Sequence, residues 1–134
     1  MKQKRILIVD DEPEIVHVLE IRLRAYGLET LTAFDGEEAL NRIRRDQPDL
    51  ILLDIHLPAV NGLTILEQIP RDEAGRSIPI IAITADHRVE LEQRCREIGC
   101  VAFFRKPYDP PLLISAIDEA LRIDHGDNAL DRAA

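Results

Sequence analysis

Tryptophan is missing from this 134-residue chain, and 3 Phe and 2 Tyr are the only other aromatic residues besides histidine, so any core must be aliphatic. The two cysteines, Cys95 and Cys100, are too few for a disulfide framework and lack the paired ligand spacing of a zinc site. They suit a reducing cytoplasm. No apolar stretch approaches the roughly 18 residues a membrane span needs. The basic lead Met1 to Arg5 is followed by only four apolar residues, Ile6 to Val9, before Asp10, Asp11 and Glu12. That is too short for a secretory signal. Positive charge is also in deficit: 17 Lys and Arg against 25 Asp and Glu give −8, which opposes direct binding to nucleic acid or to anionic lipid. Gly-x-Gly-x-x-Gly after the first apolar block and Gly-x-x-x-x-Gly-Lys-Ser/Thr are both absent, which argues against a dinucleotide fold and a P-loop. The two serines, Ser77 and Ser115, lie in no nucleophile elbow.

What is abundant is aliphatic: 17 Ile, 17 Leu and 6 Val make 40 of 134 residues, far from the composition of a disordered chain. At roughly 150 residues per domain the length indicates one domain, able to fold without disulfide or metal. Ile6 to Val9, Leu50 to Leu53 and Ile80 to Ile83 are short continuous apolar blocks, as expected for strands covered on both faces. Leu28 to Ala33 and Val101 to Phe104 are weaker strands. Between them the period becomes helical: Ile15, Leu19, Leu23 and Tyr26 share a face and Gly27 ends it. Ala39, Leu40 and Ile43, then Leu63, Leu66 and Ile69, mark a second and a third helix. Leu91, Cys95 and Ile98 before Gly99 mark a fourth, from about His87, and Leu113, Ile117 and Leu121 a fifth, from about Pro111 to Arg122. The alternation predicts an α/β fold, a flavodoxin-like doubly wound (βα)5 sandwich with a parallel sheet in the order 2-1-3-4-5. Residues 1–124 form the domain in this reading, and 125–134 a polar tail or the start of a linker.

In such a sheet, ligands bind beyond the carboxyl ends of the strands beside the switch point, which strands one and three flank. The residues there are Asp10 and Asp11, Asp54, Thr84 and Lys106. Each alone has a plain explanation. Asp11 or Glu12 could cap the first helix ahead of Pro13, Asp54 could open a turn toward Pro58, Thr84 could cap the next helix, and Lys106 could be a solvated charge. Together they place three carboxylates, a hydroxyl and an ammonium around one cleft. Three close carboxylates repel unless neutralised. A hard divalent cation with oxygen ligands does this, Mg²⁺ being usual where phosphate is handled. Around one nucleophilic carboxylate, these groups suit phosphoryl transfer.

The segments Ile6 to Glu12, Asp54 to Gly62, Ile83-Thr84-Ala85 and Phe103 to Pro107 resemble the receiver domain of two-component response regulators, and the resemblance runs over about residues 4 to 123. It implies that Asp54 accepts a phosphoryl group from a phosphohistidine of a sensor histidine kinase or phosphotransfer protein. Asp10, Asp11, Asp54 and the backbone carbonyl of His56 would hold Mg²⁺, or alternatively Mn²⁺. Lys106 would pair with the phosphoryl oxygens, Thr84 would donate its hydroxyl to them, and Phe103 would rotate into the space vacated. The resemblance also implies a cis Lys106–Pro107 bond, lifetime tuning by His56 and Asp86, and slow self-dephosphorylation in a regulatory protein rather than an enzyme. The responding face would comprise the fourth and fifth strands and helices, meeting an output domain or a second receiver.

Phe103 stands where Tyr is also common in the family, and a phenyl ring cannot donate a hydrogen bond. Two other readings stay open here. One is a small Mg²⁺-dependent phosphatase working through an aspartyl phosphate, though its usual Asp-x-Asp run and cap insertion are missing. The other is a receiver-like interaction module that needs no phosphorylation, which usually lacks the Asp or Lys present here. Cys95 and Cys100 are expected in the core, Tyr26 and Tyr108 half-buried at helix ends, and Arg42, Arg44, Arg45 and Asp46 on a solvated helix face. The segment from Arg71 to Arg76 is expected to be a polar loop.

Overall fold

The computed structural model describes residues 3–56, 62–69 and 78–124. The stretch from 57 to 61, the expected loop from Arg71 to Arg76 and the tail 125–134 lie outside the described residues. In chain order the elements are β1 (Arg5–Val9), α1 (Pro13–Ala25), β2 (Glu29–Ala33), α2 (Gly36–Asp46), β3 (Leu50–Asp54), α3 (Gly62–Gln68), β4 (Ile80–Thr84), α4 (Val89–Ile98), β5 (Ala102–Arg105) and α5 (Pro110–Asp124). The five strands form one parallel sheet in the order β2-β1-β3-β4-β5. Among the described residues no helix is long and apolar enough to cross a membrane.

The period of two along each strand divides the apolar side chains between the faces of the sheet. Leu7, Val9, Ile51, Leu53 and Ala82 pack with Ala39, Ile43, Ile65, Leu91 and Cys95 from α2, α3 and α4. Ile6, Ile8, Leu50, Leu52, Ile81 and Ile83 pack with Val16, Leu19, Leu23, Leu113 and Ile117 from α1 and α5. The continuous apolar blocks of β1, β3 and β4 thus serve two cores at once, and β3 and β4 are buried throughout. The outer strands β2 and β5 are largely half-buried, which accounts for their weaker apolar pattern.

Local chemistry sets the element ends. Pro13 opens α1, where its missing N–H costs nothing. Gly27 follows with φ +81, a left-handed turn that suits glycine. The Leu28 N–H donates to the Leu23 carbonyl at 3.1 Å, which withdraws Leu28 from the strand and starts β2 one residue later than expected. Asp35 caps α2 by accepting the Glu38 N–H at 2.8 Å.

Several other expectations shift. On α1 the buried stripe is Val16, Leu19 and Leu23, with Ile15 only partly covered. Tyr26 is 65% exposed, because it is the cap residue of α1 and its backbone has already left the helix. β5 runs one residue later than expected; Val101 is exposed while its N–H donates to the Ile80 carbonyl at 2.9 Å. α4 begins at Val89 rather than near His87. Asp46 belongs to no solvated face: Arg42 Nη1 and Arg45 Nη2 lie 3.2 and 3.3 Å from its carboxylate, and Arg5 Nη1 donates to its carbonyl at 2.8 Å. Cys95 and Cys100 are buried as expected, and burial followed by the neighbouring Cys95 pushes the Cys100 thiol up to about 12. Such thiols are unreactive.

Leu7→Ala removes a wholly buried side chain from a central strand and should cost about 2–5 kcal/mol of unfolding free energy in urea titration. Val18→Ala, on the exposed side of α1, should stay within about 0.5 kcal/mol of the parent.

Candidate functional site

Parallel register carries the ends of β1, β3, β4 and β5 to the same edge of the sheet. Asp10 follows β1, Asp54 closes β3, Thr84 closes β4 and Lys106 follows β5. The fold buries three of these polar residues: Asp10 at 4% exposure, Asp54 at 5% and Thr84 at 0%. Burying two carboxylates is costly unless a positive charge is shared with them. Lys106 provides it, with Nζ 3.0 Å from Asp10 Oδ2 and 3.4 Å from Asp54 Oδ2. Glu12 adds a more distant carboxylate, 3.8 Å from the same nitrogen.

These contacts shift the proton affinities. Burial pushes the Asp54 carboxyl above the usual carboxylate range, with the nearby Asp10 charge adding to it, although the His56 N–H and Lys106 pull the other way. Lys106 is shared between two acids and does not fully offset the burial of Asp54. Burial works against the charge of Lys106, but Asp10 and Asp54 outweigh it and raise its proton affinity.

The backbone completes the cradle. The His56 N–H donates to Asp54 Oδ1 at 3.0 Å, and the Glu12 N–H donates to Asp10 Oδ1 at 3.0 Å. The Lys106 N–H donates to the Thr84 carbonyl at 2.8 Å, and the Lys106–Pro107 bond is cis, as the resemblance implies. Thr84 Oγ1 accepts the Asp86 N–H at 3.1 Å, which leaves the hydroxyl its own proton to donate. Thr84 is no helix cap, since α4 is capped at Arg88.

Carboxylate oxygens of Asp10, Asp11 and Glu12 lie within 4.8 Å of one another. An all-oxygen acidic set of this size fits a hard divalent cation. Asp10 and Asp11 belong to the expected set and Glu12 joins them, while Asp54 is linked to Asp10 through the Lys106 ammonium. Glu12 is also the N-cap of α1, yet its side chain caps nothing there, so the carboxylate is left for the cleft. The unbroken acidic run was the signal for it.

Phe103 is half-buried on β5, packed against the α4 side of the core. The Arg105 guanidinium lies 5.1 Å from the centre of its ring, and Arg105 Nη1 pairs with Glu92 of α4 at 2.9 Å. His56 and Asp86 are bonded to each other, Nε2 to Oδ2 at 3.1 Å. Arg88, which sequence reasoning missed, holds Asp86 from the other side at 2.6 Å, and its hydrogen bonds keep the Asp86 carboxyl well below the usual range. Only the short Asp86-x-Arg88 spacing hinted at that pairing.

The sheet order places an acidic cleft and a lysine at one edge of the sheet, and comparison with known proteins defines the class. The response regulator receiver domain matches residues 6–118, and the chain belongs to that family. It is 39% identical over 118 residues to the polar-differentiation response regulator DivK of Brucella ovis, covering 88% of this chain and 96% of that protein. Among solved structures it is similar to a CheY-like response regulator receiver domain protein from Methanospirillum hungatei (31% identity, TM-score 0.85, 92% of this chain and 98% of that one). A response regulator from Chloroflexus aurantiacus is similar at 31% identity and TM-score 0.82, covering 90% of this chain and 98% of the other.

Because the native state holds a proton on Asp54 more tightly than the unfolded chain does, charged Asp54 lowers stability above its raised pKa, and the penalty fades as pH falls through that pKa. In metal-free buffer, Asp54→Asn should therefore raise the thermal midpoint at pH 7. The gain should shrink towards pH 4, by calorimetry at both values.

Proposed function

We propose that this receiver domain takes a phosphoryl group onto Asp54 from the phosphohistidine of a sensor histidine kinase or phosphotransfer protein. The observation that carries the reading is the Lys106 ammonium set between buried Asp10 and Asp54. An Asp54 oxygen attacks phosphorus, the P–O bond forms as the P–N bond breaks, and the donor imidazole leaves with the nitrogen lone pair. Negative charge at the cleft rises, so the residues that offset it determine whether transfer proceeds. Lys106 turns from its two carboxylates toward the phosphoryl oxygens, and Thr84 donates its hydroxyl to them. Asp10 and Asp11, with Asp54, the His56 backbone carbonyl or Glu12 completing the set, would hold Mg²⁺ or Mn²⁺. Such an ion, when bound, supplies charge that offsets the phosphoryl oxygens.

The same contacts give a switch. Thr84 and Lys106 gain acceptors that exist only in the phosphorylated state, and a two-state element moves only by such differential interaction. Movement of Thr84 would free room for Phe103 on the adjacent strand, and β4, α4, β5 and α5 would form the responding face for an output domain or a second copy. In this reading the phosphodonor docks on the α1 flank. A groove of about 570 Å³ lined by Ile15, Val18, Pro107, Tyr108 and Pro110 has Lys106 in its wall, so a partner seated there would touch the lysine that pairs with Asp54. The protein acts as a regulator in the cytoplasm, as a phosphoacceptor and not as an enzyme on an external substrate.

Acetyl phosphate with Mg²⁺ should label the parent and not Asp54→Asn, and chelation of the metal should abolish labelling. Equal labelling of both proteins would discard Asp54 as the acceptor, and labelling of neither would return the chain to the class of phosphorylation-independent interaction modules. Val18→Asp, in the groove wall, should slow transfer from a phosphohistidine protein by about tenfold while labelling by acetyl phosphate falls much less.

A further inference from the structure

His56 and Asp86 stand two residues beyond the ends of β3 and β4, and their contact is held by a third residue. Both carboxylate oxygens of Asp86 are engaged by Arg88. The Arg88 N–H donates to Oδ1 at 2.9 Å, Nε lies 3.1 and 2.9 Å from Oδ1 and Oδ2, and Nη2 lies 2.6 Å from Oδ2. An ionised carboxylate only accepts, so the His56 Nε2–H donates to Oδ2 at 3.1 Å. The backbone of the same two residues reaches the reacting groups: His56 N–H on Asp54 Oδ1 and Asp86 N–H on Thr84 Oγ1. A continuous path of hydrogen bonds and short covalent links therefore runs from the Asp54 carboxylate through His56 and Asp86 to the Thr84 hydroxyl. Its side-chain portion links the residues that follow the ends of two neighbouring strands.

An Asp side chain at the end of a loop has several staggered rotamers open to it. Here the planar guanidinium fork grips both oxygens and leaves one. We propose that Arg88 is a positioning residue that holds Asp86 against His56 as a strut over the phosphoryl site, and that this strut slows loss of the phosphoryl group. The proposal rests on the reading of Asp54 as phosphoacceptor. In hydrolysis a water oxygen bonds to phosphorus while the P–O bond to Asp54 breaks, returning the carboxylate and releasing inorganic phosphate that takes up the water's proton. The strut joins the loops that follow β3 and β4 beside the buried Asp54 carboxylate, and in the proposal it hinders the approach of that water to phosphorus. Arg88 touches neither phosphorus nor Asp54. It acts through Asp86.

The test is the first-order loss of label from the full chain, phosphorylated with ³²P-acetyl phosphate and Mg²⁺ and then freed of donor. Arg88→Met and Asp86→Asn should each shorten the lifetime by about fivefold, and the double variant should match Asp86→Asn alone. Arg88→Lys keeps the charge but not the fork, and should stay short-lived. Arg88 is exposed, so all Arg88 variants should keep the parent's thermal midpoint, a readout that separates positioning from folding. A parental lifetime in Arg88→Met, full recovery in Arg88→Lys, or multiplying effects in the double variant would each overturn the strut. A parent that takes up no label would instead overturn the phosphoacceptor reading on which it stands.

Discussion

Two carboxylates, Asp10 and Asp54, lie buried at the ends of adjacent strands, and the ammonium of Lys106 reaches both. Everything else at the carboxyl edge of the sheet is arranged around that shared charge. One cation serving two acids leaves a net negative cleft, which is tolerable only because backbone N–H groups of Glu12 and His56 also face the carboxylates. The same deficit makes the cleft receptive to a further cation and to a ligand that brings its own acceptor oxygens. Stability is given up here, since burial disfavours the charged form of Asp54.

The frame that holds the charges is simple in its packing. Alternate residues of β1, β3 and β4 feed opposite cores, so each strand is fixed from both faces and its end is carried to a definite height. Residues separated by 96 positions, Asp10 and Lys106, thereby meet at 3.0 Å without any local sequence relation. The two half-buried outer strands are less constrained, and β5 carries Phe103 and Arg105, the latter tied to Glu92 of α4. β5 thus lies on a margin of the sheet that is packed less tightly than the central strands.

Strand order and most site residues were legible in the amino-acid pattern, because burial on both faces writes continuous aliphatic blocks and the polar residues that end them are conspicuous. Ile6 to Val9 followed by Asp10 is such a case, and so is Leu50 to Leu53 followed by Asp54. Less visible was anything decided by side-chain geometry. Tyr26 shares the spacing of the α1 stripe but lies past the helix's last turn and faces solvent. Asp46 reads as one more surface charge until Arg5, distant in sequence, closes on it. Glu12 reads as a cap, and its carboxylate joins the acidic cluster instead. Arg88 is one of many arginines; only the folded loop brings its fork onto Asp86.

The opposite edge of the sheet is fastened differently. Arg5 donates from its backbone to Asp49 Oδ2 at 2.8 Å, accepts the Asp49 N–H at the same distance, and reaches the end of α2 through its side chain. This clasp joins β1 to the start of the following strand at the pole farthest from the cleft. It serves as a pin: backbone and side-chain bonds hold β1, the residue before β3 and the end of α2 together, so the register of the two strands is fixed at that pole.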